Sequence, residues 1–175
     1  NMDDLPLMDV IMKLGILEAI DTLPNGIKSR EEAIAETIEN NVRSKIIREH
    51  LLDPAFFDRM SILLAEIIKK RKDEAIAYEE YLKKITELVK QVNTGTTDDT
   101  PKDLDTTAKR ALYNNLEQNK ALALAIHDTV IKYKMADFRG NLPKERKIQS
   151  ALNDVLQDTD KVKEIFEIIK EQKEY

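Results

Sequence analysis

Apolar residues recur at every third or fourth position along nearly all of this chain, and alternation with a period of two is scarce. That spacing restricts the fold to packed amphipathic helices. Composition points the same way, because only 4 Gly and 5 Pro interrupt 175 residues, 35% of which are charged. A chain of this length buries about 70% of its unfolded surface, enough for one domain or two joined lobes. The 42% apolar content and a net charge of −5 exclude wholesale disorder. With no cysteine there is no disulfide framework, thiolate metal site or thiol nucleophile, and a reducing, cytoplasmic location is the expectation. The acidic start, Asn1-Met2-Asp3-Asp4, is unlike a signal peptide. No apolar run reaches the roughly 18 residues of a spanning helix; Glu66, for example, cuts the run from Ile62 to Ile68. A soluble chain with no membrane role is expected.

The spacing predicts a first helical stretch from Leu7 to Leu23, bent or broken near Gly15, and then a turn at Pro24-Asn25-Gly26. Ser29 and Glu32 have the Ser-x-x-Glu spacing of a capping box, starting a helix to about His50. Its apolar stripe is Ile34, Ile38, Val42 and Ile46. Asp53 is placed as an N-cap with Pro54 at the first helical position, where its missing N–H costs nothing. From there Phe57, Leu64, Arg71, Tyr78, Ile85 and Val92 recur by sevens, beside Met60, Ile67, Glu74, Tyr81 and Leu88. One helix from Pro54 to Val92 would be on the order of 55 Å long. The polar break at Arg71 and Glu74 is then where a long helix leaves one small core and enters another.

Asn93 to Thr107 lacks helical period and is rich in turn formers. Sub-lobes of about 1–92 and 106–175, with a linker over 93–105, follow from it. A short helix is predicted around Ala108 to Leu116, a longer one from about Asn119 to Tyr133, a loop from Ala136 to Pro143, and two further helices from Lys144 to Leu156 and Lys161 to Lys173. The last two carry the stripes Ile148, Ala151/Leu152, Val155 and Val162, Ile165/Phe166, Ile169. The fold class is all-α: a helical bundle of two lobes joined through a long helix.

Self-contained catalysis has no support in these residues. Gly15, Gly26, Gly95 and Gly140 are scattered, so no Gly-rich loop can cradle a phosphate. His50 and His127 stand in no ligand spacing and read as surface or packing residues. His127 and Asp128 are adjacent, about 100° apart on a helix, and cannot pair to activate a nucleophile. The acidic pairs Glu31-Glu32, Glu79-Glu80 and Asp98-Asp99 read as solvated faces and caps. Glu171-Gln172-Lys173 has the E-x-K spacing of one nuclease class but ends a helix, without the hairpin and upstream acid that class needs. No catalytic, cofactor-binding or metal-ligating residue is assigned.

Two basic clusters remain, Lys69, Lys70, Arg71 and Lys72, and Arg139, Lys144, Arg146 and Lys147. Their plain reading is helix-surface solvation. Their functional reading is contact with a partner or with DNA phosphates, for which Lys69, Lys70, Lys72, Arg139, Lys144, Arg146 and Lys147 are the candidates. The segment Phe138 to Lys147 is the contact edge favoured in the second lobe, beside a turn built on Gly140. Aromatic residues are only 5%, too few for a base-stacking platform.

Several strings resemble the C-terminal helical region of the R subunit of type I restriction–modification enzymes. They are Ala35 to Arg43 continuing into Lys45-Ile46-Ile47, Asp53-Pro54-Ala55-Phe56-Phe57, Lys69 to Lys72, Glu80 to Ile85 and Lys90-Gln91-Val92. In the second half they are Arg110 to Leu116, Arg139-Gly140-Asn141 and Ile165 to Lys170 continuing to Glu174-Tyr175. The resemblance runs in family order over most of the chain. It implies a C-terminal fragment of a site-specific deoxyribonuclease that uses ATP and Mg²⁺ to translocate DNA, without the nuclease or ATPase parts. On that resemblance the fragment is a non-catalytic assembly domain that holds no cofactor. It docks the translocase onto the methyltransferase and specificity subunits, with DNA contact at most weak in isolation. The alternative from the residues alone is a free-standing helical adaptor or DNA-binding module.

Overall fold

The computed structural model describes residues 6–175, so the acidic start at Asn1 to Asp4 lies outside the described residues. The fold is all-α, with α1 (Leu7–Leu14), α2 (Ile16–Asp21), α3 (Asn25–Lys28), α4 (Glu31–Glu49) and a 3-10 turn at His50–Leu52. There follow α5 (Pro54–Lys72), α6 (Tyr78–Thr94), α7 (Thr107–Asn115), α8 (Lys120–Tyr133), α9 (Leu142–Leu156) and α10 (Thr159–Glu171). No described helix is long and apolar enough to cross a membrane. The chain divides into two compact units. The first runs to Glu49 and resumes from Phe57 to Thr97; the second holds His50–Phe56 and Asp98–Tyr175.

In the first unit α1, α4 and α6 pack on one another. The stripe Ile34, Ile38, Val42 and Ile46 of α4 is buried, as are Ile85, Leu88, Val89 and Val92 of α6. Gly15 separates α1 from α2 at φ 88°, a backbone region that only glycine occupies without strain. Two local expectations change. Pro24-Asn25-Gly26 opens the short α3 instead of making a plain turn, with Pro24 at its N-cap. Ser29 is the C-cap of that helix, its N–H donating to Asn25 O at 3.3 Å, so α4 starts after it at Glu31 and the expected capping box has no place.

The expected long helix from Pro54 to Val92 does not form. Helix α5 stops at Lys72, and α6 starts at Tyr78 and belongs to the same unit as most of α5. The stop has a stated geometry. Ala75 N–H donates to Lys70 O at 2.9 Å and Glu74 N–H to Arg71 O at 3.1 Å, while Glu74 sits in the left-handed region at φ 53°. That is a Schellman closure with glutamate where glycine is usual. The polar break in the heptads marks a chain reversal, not a helix passing between cores.

In the second unit α7, α8, α9 and α10 pack each on the next, and α10 closes back on α7. Leu112, Ile126, Phe138, Ile148, Leu152, Ile165 and Phe166 fill the interior. Side-chain caps start all four of these helices: Thr106, Asn119, Asn141 and Asp158 each accept from the backbone N–H three residues on. Helix α9 begins at Leu142, so Pro143 lies in its first turn and not in the preceding loop. Val155 departs from its expected stripe and is 40% exposed.

The stretch read as a linker belongs to the second unit from Asp98 onward and is tied down around Leu104. Leu104 is buried, Arg110 donates to its carbonyl at 3.1 Å, and Asp103 and Asp105 pair with Lys120 and Lys109. The segment His50–Phe56 also goes with the second unit, where the expected boundary put it in the first. Asp53 is the N-cap as expected, with Phe56 N–H donating to it at 3.3 Å. Its carboxylate further accepts from the Asn115 amide at 2.8 Å and the Asn114 amide at 2.9 Å.

The closure at Glu74 is testable. Glu74→Gly should raise stability by about 0.5–1 kcal/mol, because it removes the left-handed penalty on a residue with a Cβ. Glu74→Val should lower stability by about 1 kcal/mol or more, since a β-branched side chain tolerates that region worst. Urea midpoints at unchanged m-values measure both.

Candidate functional site

The two basic clusters have divided fates. At the end of α5, Lys69 Nζ meets the Asp73 carboxylate at 2.6 Å in the open, and Lys70 and Lys72 are exposed. Arg71 turns inward. In the second unit Arg139 is a structural cap, with Nε donating to Lys170 O at 2.8 Å and Nη2 to Gln172 O at 2.7 Å. Its guanidinium also lies 4.7 Å from the centre of the Phe138 ring. It therefore serves the last carbonyls of α10, which have no partner inside the helix. Lys144 Nζ donates to Ala136 O at 2.6 Å, and the Gly140 N–H is taken by Glu145 at 2.7 Å. Arg146 and Lys147 are exposed, with no hydrogen bond or ion pair among the described residues. Of the expected edge Phe138 to Lys147, Phe138 is buried and only the α9 end offers uncommitted cations.

The strongest electrostatic feature of the first unit is one that sequence reasoning missed. Glu39, 3% exposed, accepts from Arg71 Nε at 2.7 Å and from Arg71 Nη2 at 2.8 Å, a bidentate fork. The Tyr81 hydroxyl donates to the same carboxylate at 2.6 Å, and its ring lies 5.9 Å from the Arg71 guanidinium carbon. Burial, and then the carboxylate it donates to, hold the Tyr81 hydroxyl far above the ordinary tyrosine range. The signal was present in the pattern. Arg71 interrupts an apolar seam, and Glu39 sits beside Ile38 and Val42 on another, so two charges of opposite sign mark core-facing positions.

Beside this cluster is a depression of about 360 Å³ lined by Glu31, Glu32, Lys72, Glu74, Tyr78 and the edge of Arg71. Three carboxylates face one uncommitted ammonium there, because Glu39 already matches the charge of Arg71. A phosphate would meet net repulsion. The depression fits neither ATP nor a nucleic-acid backbone.

The second unit also directs its buried polar groups to backbone and caps. Asn115 Oδ1 accepts from Ala55 N–H at 3.1 Å, and its amide donates to Ala111 O at 2.7 Å as well as to Asp53. Gln172, the middle residue of the E-x-K string, is buried and donates to Leu52 O at 2.8 Å and Ile168 O at 3.1 Å. His127 Nδ1 lies 2.5 Å from the Tyr175 hydroxyl, with ring centres 5.5 Å apart. Burial pushes the Tyr175 hydroxyl up, helped by Glu174 and Asp128. Among the described residues no group of three His, Asp or Glu converges as a metal site. Comparison of the chain with protein-family models, curated proteins and solved structures gives no match in any of the three.

The two raised tyrosines set an alkaline limit. Below about pH 10 both are protonated in folded and unfolded chains alike, and stability is unaffected by them. Above it the unfolded chain ionises while Tyr81 and Tyr175 stay neutral, so each lowers stability by about 1.4 kcal/mol per further pH unit. Melting from pH 8 to 11.5 should show that fall. Tyr81→Phe should be less stable at pH 8 by about 1–2 kcal/mol yet lose less between pH 10 and 11.5.

Proposed function

We propose that this chain is a helical assembly domain of the kind found at the C-terminus of type I restriction R subunits. In this reading it docks an ATP-driven DNA translocase onto a methyltransferase–specificity core and performs no chemistry itself. One observation carries the reading. Several of the buried polar contacts run between strings that resemble the family. Glu39 of the first string meets Arg71 and Tyr81 of two others. Asp53 and Ala55 meet Asn114 and Asn115, and Arg139 meets the carbonyls of Lys170 and Gln172. Part of the resemblance thus falls on contacts that specify the fold, and not on exposed charged faces alone.

The docking edge in this reading is the start of α9. Leu142, 60% exposed, and Arg146 stand four residues apart on one helix face, with Lys147 beside them. An exposed leucine flanked by uncommitted cations suits a protein surface with an acidic rim.

Co-sedimentation with the methyltransferase–specificity complex tests the reading. The fragment should bind at micromolar concentration, and Arg146→Glu with Lys147→Glu should weaken binding at least tenfold without changing the melting curve. It should show no ATPase or Mg²⁺-dependent nuclease activity. Arg139 is unsuitable for this test, since its loss uncaps α10. If the double variant instead weakens DNA binding and flattens its salt slope by about two, the module is a DNA binder. Absence of binding, while intact R subunit binds in parallel, overturns the assembly role.

A further inference from the structure

The outer face of α6 carries Glu79, Lys83, Glu87 and Lys90, at successive spacings of four, four and three residues. These positions fall in one sector of the helix, over about 16 Å of its length. All four side chains are exposed and none joins an ion pair among the described residues, whereas Glu80 and Lys84 of the same helix do pair. Alongside them the start of α2 leaves a groove of about 410 Å³ floored by Ile16, Leu17, Leu82 and Thr86. Leu17 is 69% exposed there. The groove is thus an apolar strip with an unsatisfied charged border, the composition of an interface core and rim.

The order of the charges identifies the occupant. Read forwards, the border runs acid, base, acid, base; read backwards, it is its own complement. Two antiparallel copies of α6, centred near Ile85, set Glu79 opposite Lys90 and Lys83 opposite Glu87, twice over. A two-fold axis requires this kind of self-complementarity, and an unrelated partner would not. We propose that this face of α6 pairs with the same face of a second copy of the chain, with Leu17 of each copy covering the apolar strip. This self-association is separate from the docking edge on α9 and does not rest on the restriction-enzyme reading.

Sedimentation velocity on the full chain from about 5 to 500 µM tests it. A concentration-dependent monomer–dimer equilibrium is expected. Lys83→Glu and Glu87→Lys should each weaken it at least tenfold, because each sets two like-charge pairs across the axis. Mixing the two variants in equal amounts should restore association, since every border charge then faces its opposite. Leu17→Asp should weaken it without rescue by mixing. Circular dichroism melts check that these exposed substitutions leave the fold intact. A chain that stays monomeric throughout the range overturns the proposal. So do charge variants that associate like the wild type, or a mixture that associates no better than either variant alone.

Discussion

Taking the Glu39 carboxylate out of water costs several kcal/mol, and nothing apolar in its surroundings can offset that. The cost is met by the Arg71 fork and the Tyr81 hydroxyl, which together supply three short donors to two oxygens. Arg71 lies in the last turn of α5 and Tyr81 in the first turn of α6. One buried charge on α4 therefore fixes where α5 must stop and where α6 must start. The Schellman closure at Glu74 is the backbone's way of meeting that requirement. Without the ion pair, the uncharged heptad positions on either side would favour one continuous helix.

The second unit follows a related logic, with its charged groups set on neutral amides and carbonyls instead of on each other. Asp53 and Asn115 bind the segment before α5, while Gln172 and Arg139 serve carbonyls at Leu52 and at the end of α10. Among the described residues each buried polar side chain is spent on a cap, a carbonyl or another side chain, with the Asn153 Oδ1 atom as an exception. Groups committed in this way specify a unique fold, and they are poor candidates for acid–base work, which needs a partner free to exchange a proton. That is the physical ground for seeking function on the surface.

What could be read from the residues follows from how local the determining physics is. The stripe of α4, the Asp53-Pro54 start of α5 and the stripe of α10 depend on spacing and caps within one element, and they stand as expected. The spacing predicts one long helix because its stop uses glutamate, not glycine, in the left-handed position, and no local residue type announces it. The membership of His50–Phe56 was equally hidden. It depends on amides some 60 residues away, at Asn114 and Asn115, which composition does not link to Asp53. The charge of Arg139 and its glycine turn point to a contact residue, but carbonyls some 30 residues further along the chain claim it. Cations that no internal group claims, Arg146 and Lys147, could be told from Arg139 only once those carbonyls were in place.

The central claim is that a paired buried charge, more than helix propensity or heptad pattern, dictates the architecture of the first unit. A double-mutant cycle on Glu39→Leu and Arg71→Met measures it most directly. Each single substitution strands a buried charge and should cost about 3–5 kcal/mol, while the double substitution should cost far less than their sum. The resulting coupling should be about 2 kcal/mol or more. Additive single effects, or singles within about 0.5 kcal/mol of the wild type, would contradict the account.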